Sequence, residues 1–179
     1  MASARRPQPF AVLVMGVTGC GKSTLGALLA EALNCPFLEG DDFHAPEAID
    51  KMRSGYPLTD ADREPWLDRL GAATARSIAE HGVAVTACSA LRKCYRDRLR
   101  AKIACPVQLV HLDNSRELLL QRLGARAGHF MPPSLLDSQL ATLERPLADE
   151  RALTFATEAL PRSLCDEIVA QLEHRIINA

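Results

Sequence analysis

Short runs of apolar residues alternate with longer amphipathic stretches along almost the whole chain. Each run has the length of a buried strand, and the runs lie at 10–15, 36–39, 83–88, 107–112 and 152–156. The stretches between them carry apolar residues at helical spacing, as in Leu25, Leu28, Leu29 and Leu33. These stretches predict helices at 22–33, 65–81, 92–102, 115–126 and 163–176.

The alternation of strand and helix also predicts how these elements pack. Parallel strands need a crossover between them, usually a helix, and the helices then cover both faces of the sheet. We therefore expect an α/β fold, a three-layer sandwich around a five-stranded parallel sheet, in a single domain over 1–179. No repeat, linker or low-complexity tract divides the chain, and we expect residues 1–9 to be a flexible N-terminus.

Two segments interrupt this alternation. Residues 40–64 are rich in Asp, Pro and Gly, and residues 127–133 read Ala-Gly-His-Phe-Met-Pro-Pro. Long interruptions of a compact domain are usually functional loops or lids. We expect 40–64 to bind a substrate and 127–133 to form a mobile lid. Pro65 then stands in the first turn of the next helix, a position that proline favours.

Composition excludes several classes of protein. The chain has 179 residues with 21 Lys and Arg against 22 Asp and Glu, a net charge of -1, whereas a general nucleic-acid binder normally has a basic excess. Its longest apolar run, around 10–16, is too short to cross a membrane, and no signal-peptide core follows the N-terminal arginines. We expect a cytoplasmic protein that binds neither nucleic acid nor membrane.

Six cysteines raise the question of disulfides or a zinc site. They are Cys20, Cys35, Cys88, Cys94, Cys105 and Cys165. No two of them have the C-x2-C or C-x4-C spacing of a zinc site, and the five histidines are scattered singly. We expect structural thiols in a reducing compartment, where disulfides are rare.

One motif carries a definite chemistry. Residues 16–23, Gly-Val-Thr-Gly-Cys-Gly-Lys-Ser, match the P-loop pattern, with a predicted strand before them and a predicted helix after them. The glycines let backbone N–H groups surround a phosphate, and the helix adds its positive N-terminal end. Lys22 is expected to reach the β- and γ-phosphates, and the Ser23 hydroxyl to ligate Mg²⁺. We therefore expect a nucleoside triphosphate to bind at Gly16, Val17, Thr18, Gly19, Cys20, Gly21, Lys22, Ser23 and Thr24.

The P-loop alone does not name a reaction, because kinases, GTPases and ATP-driven machines share it. The sequence has no N-K-x-D segment for reading guanine, and a motor ATPase is usually larger. Such a motor also needs an Asp at the end of a hydrophobic strand to hold the metal, and only Asp113 could play that part. The small size and the two interrupting segments favour a small-molecule kinase.

Further motifs make the chain resemble one family. They include Glu-Gly-Asp-Asp-Phe-His at 39–44, Lys-Met-Arg-Ser-Gly at 51–55, Pro-Leu-Thr-Asp-Ala-Asp-Arg at 57–63, Cys-Ser-Ala-Leu at 88–91, Gly-His-Phe-Met-Pro at 128–132 and Ser-Gln at 138–139. In this order and spacing, over about 10–172, the chain resembles the gluconokinase family. The resemblance implies the P-loop kinase fold of shikimate and nucleoside-monophosphate kinases.

The same resemblance implies an activity. With ATP and Mg²⁺ as cofactors, the expected reaction is phosphorylation of D-gluconate at its 6-hydroxyl, which gives 6-phospho-D-gluconate and ADP. This product feeds gluconate catabolism into the pentose phosphate or Entner-Doudoroff route. Relatives of this kind also imply a homodimer.

By resemblance to small P-loop kinases, Asp41 is the best candidate for a catalytic base. It follows the second predicted strand, at the edge where ligands of open α/β sheets bind, so its carboxylate can accept a hydroxyl proton or bind a substrate hydroxyl. A role as a turn or helix-capping residue is the alternative. By the family resemblance, Lys22 and Arg126 share in catalysis, and Arg122 and Arg126 meet ATP, since phosphoryl transfer calls for a charge-stabilising Arg. Alternatively, both arginines are exposed residues of a helix.

A second group of residues is expected to bind the sugar acid: Asp41, His44, Arg63, Ser89, Arg92 and Arg96. Arg63 is suited to clamp the carboxylate bidentately, unless it pairs with the acids just before it in the sequence. His44 either bonds a sugar hydroxyl or stabilises its own loop. Arg92 and Arg96 reach the bound anions if their helix faces the cleft, and otherwise lie on a solvated face. Trp66 is expected to be a packing anchor.

Some positions depart from the family pattern and leave alternatives open. Glu39 stands where Asp is more usual, so its outer-shell contact with Mg²⁺ is open, and oxidation of Cys20 inside the P-loop is a further hypothesis. The competing functions are a shikimate-type kinase and a nucleotide-binding regulator that senses gluconate without turnover. Cys-Ser-Ala-Leu at 88–91, in place of a Gly-Gly-Gly run, favours gluconate over shikimate. The intact Lys22 and Ser23 argue against a regulator.

Overall fold

The structure is a computed structural model of the chain, and it describes residues 8–125 and 133–177. Arg126 and residues 127–132 of the expected lid lie outside the described residues, as do residues 1–7 of the expected flexible N-terminus. Within the described ranges, every helix is too short or too polar to cross a membrane.

Five parallel strands form one sheet in the order β2-β3-β1-β4-β5. They are β1 Phe10–Met15, β2 Phe37–Glu39, β3 Val83–Ala87, β4 Val107–Leu112 and β5 Leu153–Phe155. The ends of each strand lie within one residue of the predicted bounds, and the five-stranded parallel sheet is confirmed. All residues of β1 are buried because it lies at the centre of the sheet, with helices on both faces.

The described residues contain seven α-helices, which provide the two outer layers. They are α1 Lys22–Ala32, α2 Pro46–Arg53, α3 Asp60–His81, α4 Lys93–Ile103, α5 Arg116–Ala125, α6 Pro133–Thr142 and α7 Pro161–Ile177. The helices α1, α5, α6 and α7 cover one face of the sheet, with Leu29, Leu119, Leu136 and Ile168 in the core. The helices α3 and α4 cover the other face, with Leu67, Leu70 and Leu99 in the core.

The segment 40–64 is not the irregular loop that its composition suggested. It contains a 3-10 turn, the helix α2 and the start of α3. The early start of α3 has a local cause: Thr59 and Asp62 form a capping box, in which the Asp62 carboxylate accepts a hydrogen bond from the Thr59 N–H at 2.7 Å. Pro65 therefore lies inside the helix and not in its first turn, so that prediction was wrong.

Gly40 makes a very close contact between the ends of β2 and β3. A Cβ atom on Gly40 would lie 2.2 Å from the carbonyl oxygen of Ala87, a distance that no side chain tolerates. Glycine in a strand region often marks such a close approach of two backbones. The contact determines where the chain leaves β2, and hence where the next residue, Asp41, is placed.

We expect Gly40→Ala to lower the free energy of unfolding by about 1–3 kcal/mol, because the added methyl group overpacks against backbone atoms. Urea denaturation followed by circular dichroism measures this change. Gly124→Ala in α5 is the matched control, since nothing lies within 4 Å of an added Cβ there and alanine is the better helix former. Equal stability of Gly40→Ala and the wild type would contradict the role of this contact.

Candidate active site

The phosphate-binding loop joins the carboxyl end of β1 to the first turn of α1. Its backbone passes through the left-handed region at Gly19 and Gly21, with φ of 78° and 99°, a conformation that glycine adopts without steric cost. Gly21 is the N-cap of α1 and provides no side-chain cap, so the N–H groups of the first turn are available for a phosphate. The strand–loop–helix context predicted for the motif is confirmed.

The side chains of the P-loop divide into two groups. Val17 and Cys20 are buried in the core, so they offer backbone groups to a phosphate. The burial of Cys20 argues against its oxidation in the folded protein, and all six cysteine thiols are free, as expected. Ser23 and Thr24 are exposed at the start of α1, and the Lys22 ammonium donates a hydrogen bond to the Val17 carbonyl at 3.0 Å.

The loops after β3 and β5 hold the P-loop in place through hydrogen bonds. The Gly16 N–H donates a hydrogen bond of 3.4 Å to the Ser89 carbonyl, just after β3. The Arg122 guanidinium donates to the Thr157 hydroxyl at 2.5 Å and to the Thr157 carbonyl, and the same hydroxyl lies 3.2 Å from the Cys20 carbonyl oxygen. Arg122 thus fixes the loop after β5 against the P-loop. Its expected contact with ATP, like the expected contact of Ser89 with the sugar acid, stays a prediction.

Asp41 projects from the 3-10 turn that follows β2, which begins at Gly40 and ends at Phe43. The helix α3 holds this turn at two points. The Trp66 indole N–H donates to the Gly40 carbonyl at 2.7 Å, and the Arg69 Nε–H donates to the Phe43 carbonyl at 3.0 Å. The Asp41 side chain nevertheless stays 79% exposed and can meet a substrate. Trp66 is buried, which confirms it as a packing anchor.

His44 is buried beside Asp41. Its ring stacks on that of Trp66 with centroids 4.0 Å apart, and its Nε2 lies 3.9 Å from the Asp41 Oδ1. Burial lowers the pKa of His44, with Asp41 acting in the opposite direction, so the ring is neutral at pH 7. The stacking supports the loop-stabilising alternative, and the hydrogen bond to a sugar hydroxyl stays a prediction.

Segments that carry three charged side chains, Glu39, Asp41 and Lys22, meet at the carboxyl end of β3. Cys88 is buried at this point, and burial raises the pKa of its thiol to about 12. The charges of Asp41 and Glu39 also raise this pKa, and that of Lys22 lowers it. Glu39 pairs with Ala87 at the end of β3, and the Gly16 N–H bonds to the Ser89 carbonyl just after β3. The 3-10 turn with Asp41 and the P-loop with Lys22 therefore lie at the same edge of the sheet, where open α/β sheets bind ligands.

A second cavity, an open pocket of about 360 Å³, lies between α3, α4 and the C-terminal end of α6. The guanidinium carbons of Arg63 and Arg92 lie 5.5 and 5.8 Å from the ring centroid of Tyr95. Asp60 links them: its carboxylate accepts from Arg92 Nη1 at 2.8 Å and from the Tyr95 hydroxyl, and it lies 3.9 Å from Arg63 Nη1. Glu144 adds a second acid, 3.4 Å from Arg92 Nε.

The charges of this pocket are balanced before any ligand binds. The hydrogen bond from Tyr95 holds the pKa of Asp60 below its ordinary value, and the two arginines act in the same direction. Sequence reasoning named Arg63 and Arg92 but assigned no role to Asp60, Tyr95 or Glu144. Asp60 stands in the motif at 57–63, and Tyr95 and Glu144 stand in two further stretches that resemble the family, Tyr-Arg-Asp at 95–97 and Thr-Leu-Glu at 142–144. This resemblance was the only available signal, because ion pairing across 32 or 52 residues leaves no local pattern.

Comparison with known proteins identifies the family. A family model described as an AAA domain matches residues 12–146. The gluconokinase of Gluconobacter oxydans (strain 621H) is 44% identical over 167 residues, which cover 93% of each chain. The thermosensitive gluconokinase of Escherichia coli (strain K12) is 46% identical over 139 residues, 78% of this chain and 74% of that one. The chain belongs to the gluconokinase family.

A solved gluconokinase supports the same assignment at the level of the fold. The crystal structure of a gluconokinase from Sinorhizobium meliloti 1021 matches with a TM-score of 0.85 and 42% sequence identity, over 97% of both chains. This gluconokinase-family chain is therefore a kinase with a nucleotide-binding P-loop, and the expected three-layer P-loop kinase fold is confirmed.

In this member of the gluconokinase family, the structure contradicts the prediction that Arg96 contacts a ligand. Its side chain is completely buried, and its Nε and Nη2 atoms each donate to the Glu150 carboxylate at 2.7 Å. Its Nη1 donates to the carbonyls of Ala90, Leu91 and Glu144. Since these contacts use its donors inside the protein, the prediction that Arg96 reaches bound anions was wrong. It instead ties the segment after α6 to α4.

Asp113, the one candidate for an Asp that holds a metal at the end of a strand, is paired with an arginine. Asp113 follows β4, and its two carboxylate oxygens accept from Arg145 Nε and Nη2 at 3.0 and 3.1 Å. A bidentate pair of this kind fixes the carboxylate in place. The structure therefore gives Asp113 a structural partner, in agreement with a small-molecule kinase rather than a motor ATPase.

We expect Arg96→Met to lower the free energy of unfolding at pH 7 by about 3–5 kcal/mol, because it leaves the buried Glu150 without its main partner. Arg96 holds the pKa of Glu150 down at about 2, so the wild type loses this stabilisation as pH falls from 4.5 towards 2. The variant lacks that part of the pH dependence. Urea denaturation at pH 7 and at pH 3 measures both effects.

The matched control is Arg116→Met, which breaks an exposed bidentate pair with Asp137. Exposed pairs contribute little to stability, so this variant should unfold at nearly the wild-type urea concentration. Equal losses of stability in the two variants would show that the burial of the Arg96 pair has no special weight.

Proposed function

We propose that this protein transfers the γ-phosphoryl group of ATP to the 6-hydroxyl of D-gluconate and releases 6-phospho-D-gluconate and ADP. The meeting of the P-loop and the 3-10 turn at the carboxyl end of β3 carries this proposal, because it brings a phosphate-binding loop and the exposed carboxylate of Asp41 to one edge of the sheet. The curated relatives named gluconokinase supply the substrate class. The product then enters the pentose phosphate or Entner-Doudoroff route.

Mg²⁺ fits this site by the chemistry of its donors. The described residues contain no group of three or more His, Cys, Asp or Glu that could hold a metal ion. Mg²⁺ commonly keeps several waters and binds through one or two protein oxygens together with substrate phosphates. The exposed hydroxyl of Ser23 is such an oxygen. Glu39 is proposed to make an outer-shell contact with the ion. When bound, the ion neutralises charge on the phosphate oxygens.

The protein residues have separate tasks in the proposed reaction. Lys22 and the P-loop N–H groups hold the phosphates, and Asp41 accepts the proton that leaves the attacking hydroxyl. The clamp of Trp66 and Arg69 on the 3-10 turn fixes Asp41 in advance, so little ordering is required at the moment of reaction. Arg126 keeps its proposed role of stabilising charge on the transferred group.

The pocket beside α6 provides the proposed site for the sugar-acid carboxylate. Arg63 and Arg92 present two guanidinium groups around one tyrosine ring, which suits a planar carboxylate. His44 and Ser89 are proposed to meet the hydroxyl groups of the sugar chain. The predicted homodimer and cytoplasmic location also remain proposals; the six free thiols agree with a reducing compartment.

We expect Asp41→Asn to lower kcat for gluconate phosphorylation by a factor of about 10²–10⁴, because the amide cannot accept the hydroxyl proton. A coupled assay of ADP release measures turnover, and calorimetry with a non-hydrolysable ATP analogue shows whether nucleotide affinity is kept. Asp42→Asn is the matched control, since Asp42 is an exposed neighbour with no assigned role. If Asp41→Asn retains turnover within tenfold of the wild type, Asp41 is not the base.

A substrate panel tests the proposed specificity. We expect ADP release with D-gluconate, and little with D-glucose, shikimate or nucleoside monophosphates. Glucose and the nucleotides lack a carboxylate for the pocket, and the ring of shikimate cannot place its hydroxyl groups as the open chain of gluconate does. Arg63→Met should lower kcat/KM for gluconate by a factor of about 10–100, the usual loss of a charged hydrogen bond. Faster turnover of shikimate than of gluconate, or nucleotide binding without any turnover, would contradict the proposed function.

A further inference from the structure

A glutamine of α6 forms a hydrogen bond with a backbone N–H of the P-loop. The side-chain oxygen of Gln139 accepts a hydrogen bond from the backbone N–H of Thr18 at 2.7 Å. Thr18 lies in the middle of the P-loop, where N–H groups normally surround phosphate oxygens. The two residues are 121 positions apart in the sequence, so the contact depends on the tertiary fold. The Gln139 side chain therefore uses a donor of the loop that would otherwise be available to a phosphate oxygen.

The same helix also forms one wall of the pocket between α3, α4 and α6, which is the proposed sugar-acid pocket. Residues 141–144 line that pocket, and the Gln139 carbonyl accepts the Leu143 N–H at 3.0 Å. Glu144, just after α6, donates its N–H to the Leu91 carbonyl at 2.8 Å and accepts the Lys93 N–H at 2.7 Å. One short helix thus contacts the P-loop near its middle and the sugar-acid pocket at its end.

We propose that Gln139 is a positioning residue that couples the nucleotide site to the sugar-acid pocket; this inference rests on the proposed function. A backbone N–H makes one good hydrogen bond, so an incoming phosphate oxygen displaces the Gln139 side chain and releases α6 from the P-loop. A sugar acid that pairs with Arg92 competes with Glu144, which follows α6 and lies 3.4 Å from Arg92 Nε, and so favours release of the same helix. Whichever ligand binds first breaks the Gln139 contact, and the second ligand binds without that cost.

The size of the coupling follows from the bond that is broken. The net contribution of a neutral hydrogen bond corresponds to a factor of about 3–10 in affinity. We therefore expect saturating gluconate to tighten binding of a non-hydrolysable ATP analogue by about that factor in the wild type. Because binding coupling is reciprocal, the analogue tightens gluconate by the same factor.

Two substitutions separate this role from a merely structural one. Gln139→Met keeps the length of the side chain and removes the strong acceptor, so the analogue alone should bind at least as tightly as in the wild type, and gluconate should no longer change its affinity. Gln139→Glu places a carboxylate at the Thr18 N–H, which holds the bond more strongly and repels the triphosphate. Its affinity for the analogue should fall by a factor of about 10 or more.

Isothermal titration calorimetry of the full chain, with and without gluconate, measures these affinities. Gln171→Glu in α7 is the matched control for the added charge and should bind the analogue as the wild type does. An unchanged coupling factor in Gln139→Met, or wild-type nucleotide affinity in Gln139→Glu, would overturn the inference. The Gln139→Glu comparison needs no sugar acid, so it tests the contact between Gln139 and the P-loop by itself. If the wild type fails to phosphorylate gluconate, that result counts against the proposed function and not against this contact.

Discussion

The contact between Gly40 and the Ala87 carbonyl sets the geometry on which the proposed chemistry depends. The strand β2 has only 3 residues, so its end is positioned by pairing with β3 and by this close backbone approach. Hydrogen bonds from α3 then hold the turn that carries Asp41. The P-loop reaches the same edge from the central strand β1. A parallel sheet thus brings a phosphate-binding loop and a carboxylate together although they are distant in the sequence.

Arg63, Arg92 and Arg96 are each balanced by acids close to them. Arg63 and Arg92 share the acids Asp60 and Glu144, and Arg96 is neutralised by Glu150 in the interior. The net charge of -1 already required such balance overall, and the structure shows where it occurs. The acids offset the repulsion between the guanidinium groups. The arginines can therefore stay oriented around a pocket until a carboxylate binds.

Sequence reasoning predicted the sheet and the P-loop well, because buried strands and a glycine-rich phosphate loop both leave local patterns. It placed the start of α3 too late, since the capping box of Thr59 and Asp62 was not recognised and Pro65 was read as the first turn. The burial of Arg96 could not be predicted, because an arginine in a charged helix looks the same whether it faces solvent or an acid 54 positions away. The contact of Gln139 with the P-loop is equally invisible in the sequence.

The central claim is that the cleft at the end of β3 directs phosphate to one hydroxyl of one sugar acid. Nuclear magnetic resonance of the product formed from ATP and D-gluconate tests this claim directly, since phosphorus couples to the carbon and protons at the position of attachment. We expect a single phosphomonoester, with coupling to carbon 6 and its protons. A phosphate on any other carbon, or release of inorganic phosphate alone, would contradict it.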